Sequence, residues 1–261
     1  MKCFLKLVSI LVLIACTPLS IASPIAEDTL YELVVLSGVK SQVESLSGAV
    51  LAGMTSRGET SSEKVSIVEE SLNSNSMLER LTSNFGKSLT QSEAMELISW
   101  YSSNFGARVA RAEESGSTGD AQVEMQKMAQ QLLSDPARLK KIKEMEKVGS
   151  LVDNAIDLQI TLALSAATVV HQQKNPNKPL NLDILKNITT SQVNGMRSNI
   201  EMSIIISLLY TFRDFNIEEL DKYIDTLNTP VMMKFNESMN SGMNIAFNEA
   251  IRTIAASFKR D

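Results

Sequence analysis

Cysteine is nearly missing from this chain of 261 residues, and the only two, Cys3 and Cys16, lie close to its start. Beyond them no disulfide and no thiolate metal site can form, and thiol catalysis is excluded. Histidine occurs once, at His171. No cluster of imidazoles can therefore hold a metal or act as an acid and base pair, and a lone histidine near a helix end reads as a solvated or capping side chain. Aromatics make up 5% of the residues. The β-branched residues recur every three or four positions instead of alternating, so strand signals are almost absent. Neither G-x-G-x-x-G nor G-x-x-x-x-G-K-[ST] occurs, which removes the two common phosphate-cradling loops. An excess of base is missing too: 25 basic residues stand against 30 acidic ones, a net charge of −5. A nucleic-acid binder needs a basic surface to release phosphate counterions, so that class is excluded. The acidic residues are dispersed, as on a solvated surface. With these absences no catalytic residue, no cofactor and no metal site is assigned.

What is present starts with Lys2 and Lys6, followed by an apolar run from Leu7 to Ala15 and a break at Pro18. A short basic segment ahead of a short apolar one is the pattern of an export signal, and residues 1–22 are expected to be a signal peptide. The apolar run is about nine residues, far below the ~20 of a membrane-spanning helix. Two kinds of processing fit. Ser20-Ile21-Ala22 offers small residues to a general signal peptidase, and Leu13-Ile14-Ala15-Cys16 resembles a bacterial lipobox, in which Cys16 would be lipidated. The expected location is the periplasm, soluble or lipid-anchored through Cys16.

Helical periodicity dominates the rest. Val39, Val43, Leu46, Val50 and Met54 make one apolar face, and Val231, Phe235, Met239, Met243, Phe247, Ile251, Ile254 and Phe258 make another. The predicted fold is all-α, a multi-helix bundle of two related helical halves with no significant β-sheet. Gly38 ends a first short helix, and the Gly/Ser/Thr-rich segment Glu114 to Asp120 reads as a flexible connection. Residues 25–114 then form the first half, 115–135 a linker and connecting helix, and 136–261 the second half. Asp135-Pro136 starts a long helix, with Asp as N-cap, that runs through Leu151 to Val170 and ends before the proline-rich Lys174 to Pro179. Asp153, Asn154, Asp157 and Gln159 make it a core helix, because they would be costly at a bilayer centre. A further helix is expected over about Asp183 to Arg213.

Within this pattern two segments, Leu89 to Val109 and Phe215 to Phe235, align without a gap at a constant offset of 126 positions and read as diverged copies of one helical hairpin. Thr90-x-x-Glu93 and Asn216-x-x-Glu219 are both capping signals. Thr229-Pro230 restarts the second copy as a new helix, and Ser103-Asn104, with Gly106 beyond, is a softer break in the first. The inner faces are expected to carry Leu97, Ile98 and Trp100 in one copy and Leu220, Tyr223, Ile224 and Leu227 in the other.

These segments resemble a family of small exported, all-helical proteobacterial proteins, a domain of unknown function with a pattern close to F-[ST]-x-E-E-L-x-x-[LI]-x-x-F-Y-x-S-P-x-G. Trp100, Tyr101 and Gly106 fall in the later part of that pattern, with Asn104 where it has Pro. Phe215 to Leu220, including Glu219, and then Thr229 and Pro230 match the rest, whereas Thr226-Leu227 stands for the aromatic pair and Met232 for the Gly. Leu30 to Val43 also looks like the family's opening. The resemblance implies a fold and a compartment; the family has no agreed activity, so no catalytic residue follows from it.

Other patterns carry less chemistry. Ser61-Ser62-Glu63-Lys64 contains Ser-x-x-Lys without the Ser-Asp-Asn and Lys-Thr-Gly partners of penicillin-binding enzymes. Glu69-Glu70, Glu113-Glu114 and Glu218-Glu219 are adjacent on helices and so point in different directions, which reads as solvated carboxylates. Met232, Met233, Met239 and Met243 could offer thioethers to copper(I), but Met239 and Met243 belong to the apolar stripe already described. Asn187 and Asn236 lie in acceptor patterns for glycosylation, which matter only in a eukaryotic secretory route. The leading expectation is a non-enzymatic envelope protein, an interaction or accessory factor with an envelope protein as partner. Alternatives are a carrier of a lipid or small apolar ligand in a helical cavity, and a hydrolase. A continuous apolar pocket of several hundred cubic ångströms favours the carrier, and a filled core with an exposed apolar groove favours the accessory factor.

Overall fold

The first helix, α1 (Glu27–Leu36), stops where Gly38 takes the left-handed conformation at φ 73°, which a residue without Cβ adopts freely. In this computed structural model residues 25–45, 48, 62–174 and 181–257 are described, and all regular elements among them are helices. A helical stretch over residues 39–45 follows α1. Next come α2 (Ser62–Ser71), α3 (Ser74–Ser88), α4 (Gln91–Ser102), α5 (Asn104–Gly116) and α6 (Gly119–Leu132). The chain continues through α7 (Pro136–Gly149), α8 (Leu151–Lys174), α9 (Leu182–Gly195), α10 (Arg197–Thr211), α11 (Ile217–Leu227) and α12 (Pro230–Ser257). The fold is an all-α bundle, as the periodicity predicts. No helix among the described residues is long and apolar enough to cross a membrane.

Side-chain caps set most of the boundaries. Asn73, Thr90, Ser103, Thr118, Asp135, Asn181 and Asn216 each accept a hydrogen bond from a backbone N–H in the first turn of the helix they precede. Two expected helices are each divided. The helix from Pro136 breaks at Ser150, whose left-handed backbone (φ 50°) lets its N–H reach the carbonyls of Glu146 and Lys147 and close α7 before α8 begins. The helix over Asp183 to Arg213 breaks at Met196, just after Gly195, where the N–H of Met196 turns back to the carbonyls of Val193 and Asn194. In both places a glycine sits at the end of the first helix, and a glycine costs a helix interior about 1 kcal/mol relative to alanine. The segment expected to be a flexible connection is a short turn: α5 runs through Gly116, and Thr118 already caps α6.

The two ends of the chain are interleaved. Helix α12 packs along α3 and α8, α11 lies on α7, α1 on α4, and α10 crosses α6, α7 and α8. Phe85, Phe212, Phe235, Phe247, Leu209 and Leu220 are fully buried in one continuous core drawn from both parts of the sequence. A smaller cluster of Val152, Ile156, Val193 and Ile200 joins α8, α9 and α10. On α12 Phe235, Phe247 and Ile254 of the expected stripe are buried and Val231, Met239 and Met243 partly so, with Ala246 and Ala250 completing the buried face; the side chain of Ile251 and all of Phe258 lie outside the described residues.

Candidate functional site

The site is built by two helix pairs, α4–α5 and α11–α12, which meet across the core. Both capping boxes form: Thr90 Oγ1 accepts from the Glu93 N–H while Glu93 accepts from the Thr90 N–H, and Asn216 and Glu219 do the same. Between α4 and α5, Ser103 Oγ donates to the Trp100 carbonyl (2.6 Å) and accepts from the Gly106 N–H (3.0 Å). Gly106 has to be glycine here, because a Cβ would overlap the Trp100 carbonyl. In the second pair Thr229 Oγ1 donates to the Thr226 carbonyl and Pro230 opens α12, where its missing N–H costs nothing.

The contacts between the pairs are reciprocal. Lys234 Nζ donates to Glu93 at 2.7 Å, and Arg108 pairs with Glu219 at 2.6 Å. Arg108 and Lys234 stand at the same 126-position offset as the two glutamates, so each capping carboxylate is held by the base of the other pair. The bond from Lys234 is the main cause that keeps Glu93 below the usual carboxylate range. The Asn216 N–H, then Arg108, do this for Glu219. Arg108 also lies 4.1 Å over the Phe215 ring.

Aromatic contacts fill the space between. Trp100 stacks on Tyr223 at 6.0 Å, and Tyr101 meets Phe235 edge-on at 6.1 Å. The inner face expected from the sequence carries Leu97 and Ile98 buried and Trp100 packed against the same core at half-burial; Tyr101, at 5% exposure, belongs to it as well. An indole one position before the buried register lies at the edge of the apolar face, where its large ring still gains contact.

Below these rings lies Glu113. Helix α5 buries Gly106, Val109, Ala110 and Gly116, and Glu113 falls on the same three-and-four spacing, so its carboxylate turns inward. The reading of Glu113 as solvated is therefore corrected, although it holds for Glu69, Glu70, Glu114 and Glu218, which are exposed. Tyr223 Oη donates to Glu113 Oε1 at 2.6 Å. The two residues line a cavity of about 190 Å³ together with Tyr101, Phe212, Phe235 and Asn240. Among the described residues Glu113 is the only carboxylate that lines it, and no Lys, Arg or His does. Burial pushes the Glu113 carboxyl up to about 7, partly offset by the bond from Tyr223. Desolvation, and after it the Glu113 charge, raises the Tyr101 and Tyr223 hydroxyls far above their ordinary range, so both stay protonated.

Two further spaces adjoin. A cavity of about 150 Å³ between the 39–45 stretch, α8 and α12 shares Val39, Gln42, Met239 and Asn240 with the first. It is also lined by Asn244, whose Oδ1 is buried with no hydrogen-bond partner among the described residues. A wider cleft of about 710 Å³ opens between α6 and α10, lined by neutral polar side chains such as Gln122, Gln126, Ser203 and Ser207 with Met125 and Ile206. Gln42 borders all three.

The comparisons with known proteins find no match for this chain. That holds for family models, for curated proteins and for solved structures alike. The remaining residues singled out in the sequence fall apart in space. Met232 is buried and faces the Tyr101 hydroxyl at 3.9 Å, Met233 is 46% exposed, and Met239 and Met243 pack at the inner cavities. Asn187 is exposed, whereas Asn236 lines the cavity of Glu113. His171 is half-buried near the end of α8. Cys16 and the export segment lie outside the described residues, as do the side chains of Ser61 to Lys64. Among the described residues no group of three or more His, Cys, Asp or Glu is placed to hold a metal.

Proposed function

We propose that this chain is an exported, non-enzymatic binding protein of the cell envelope that holds a small ligand between its two helix pairs. The observation that carries the reading is Glu113, a carboxylate set into a cavity with tyrosine and phenylalanine around it and, among the described residues, no cation to pair it. A half-buried acid without a counter-charge lowers stability, and a perturbed carboxyl lining a cavity marks a candidate binding site. Glu113 ionises near 7 while both its hydroxyl neighbours stay protonated, so the set has one proton-exchanging group and, among the described lining residues, no second acid or base to work with it, which favours binding over hydrolysis. The inner cavities, about 190 and 150 Å³, fall short of the several hundred cubic ångströms that a lipid carrier calls for, which favours a small ligand. Lys2, Lys6 and the run from Leu7 to Ala15 support export, through either general processing or lipidation at Cys16.

We also infer that the helix pairs are diverged copies of one hairpin, supported by the shared offset of the capping boxes and of the crossed ion pairs, and that the family resemblance of Trp100 to Gly106 and of Phe215 to Leu220 reflects this unit. A second reading, the accessory factor, is favoured by Tyr31 and Val35, one turn apart on α1, and Met95 on α4, which are exposed on two helices that pack together. The test is native mass spectrometry of the chain purified without denaturant, beside a variant carrying Leu208→Trp to fill the cavity at Glu113. A small bound mass present in the parent and lost in the variant supports the ligand reading. A protein captured through Tyr31 and Val35, with no small ligand in either sample, supports the accessory factor.

A further inference from the structure

The geometry points to a small organic cation of the alkylammonium class as the occupant of the cavity at Glu113; this rests on the small-ligand reading above. The cavity offers one carboxylate, the rings of Tyr101, Phe212, Tyr223 and Phe235, and the amide of Asn240. An ammonium group is attracted both to a carboxylate and to the faces of aromatic rings, and both attractions strengthen out of water. An anion would meet Glu113 with no Lys, Arg or His to offset it, and a neutral ligand would leave that carboxylate uncompensated. The adjoining cavity adds a second acceptor, the buried Asn244 Oδ1, which suits a cation that carries N–H donors rather than a fully methylated one. About 190 Å³ admits a group of a few carbon atoms. The wider cleft beyond Gln42 is lined by neutral amides and hydroxyls, which let a cation pass without trapping it.

The pH dependence follows from what faces Glu113. From α4 and α11 the titratable groups are Tyr101 and Tyr223, both protonated throughout the working range. From the 37–42 segment, α7, α8, α10 and α12 the cavity receives no titratable side chain among the described residues. Among these groups Glu113 is the one that changes charge in the working range, its carboxyl ionising at about 7. Below that value the proton must leave before the cation is held.

Trp100, the single tryptophan, stacks on Tyr223 and reports the site by its emission. The full mature chain is titrated with butylammonium chloride at pH 8 and pH 5.5, with sodium chloride at matched ionic strength as the blank. Butanol and sodium butyrate serve as neutral and anionic probes. The expected result is saturable binding of butylammonium at pH 8 that is on the order of thirtyfold weaker at pH 5.5. Glu113→Gln is expected to lose binding at least tenfold, and Glu113→Asp, which keeps the charge and controls for folding, to retain most of it. Equal binding by Glu113→Gln and the parent overturns the inference, as does butanol or butyrate binding as tightly as butylammonium. In that last case the small-ligand reading survives; if no probe binds and nothing copurifies, both fall.

Discussion

Glu113 sets the behaviour of this molecule at the scale of single residues. Its carboxyl ionises near 7 in the folded chain and near its ordinary 4.5 when unfolded. Between those values the native state keeps a proton that the unfolded state has lost, so stability is fully present below about 4.5, falls as pH rises towards 7 and is constant above. Glu113→Gln is expected to remove that fall: melting temperatures of parent and variant should agree near pH 4.5, and the variant should be the more stable at pH 8. Glu93 and Glu219 act in the opposite sense, since both are held below their ordinary range and lose stabilisation as the solution is acidified. Gly106 is the second decisive residue. Gly106→Ala forces a methyl group onto the Trp100 carbonyl and is expected to cost ~1–3 kcal/mol in urea unfolding. Gly106 was legible in the sequence as part of a break, but the carbonyl it makes room for was not.

The elements were legible wherever a polar side chain caps them. Thr90, Asn216 and Asp135 each precede an apolar-periodic run, and each begins a helix at the expected place. Thr90→Ala and Asn216→Ala are each expected to cost about 1 kcal/mol, read from chemical denaturation. The breaks at Ser150 and Met196 were missed because the apolar spacing continues across both, and only Gly149 and Gly195 mark them. The crossed ion pairs give a test at this scale. Arg108→Glu sets two carboxylates against each other at Glu219, so the melting temperature should fall; adding Glu219→Arg should recover part of it at low salt and less at high salt. No recovery in low salt would mean that the pair does not join the two helix pairs. Sequence alone could align Glu93 with Glu219 and Arg108 with Lys234, but their exchange across the core needs the packing of α12 against α4 and of α5 near α11.

For the whole molecule, the halves expected from the sequence share one core, because α12 closes on α3 and α11 on α7. Arg138 ties that closure, donating to the carbonyls of Phe212 and Phe215 at 2.9 and 2.7 Å where α10 passes into α11. The candidate site was partly legible: Tyr101 and Tyr223 stood in the aligned segments, and Glu113 sits four positions after Val109 on the buried face of α5. It was read as solvated because it adjoins Glu114, which is indeed exposed and bonds to Ser41. The cavities themselves were not legible, since they arise where Gln42, α5, α10 and α12 meet from distant parts of the chain. The most direct measurement is a carbon-detected NMR titration of the Glu113 carboxyl in the free protein and with butylammonium present. A ligand pocket built on this carboxylate predicts a midpoint near 7 that falls by one pH unit or more as the cation saturates, whereas a midpoint at the ordinary 4.5, unmoved by the cation, contradicts it.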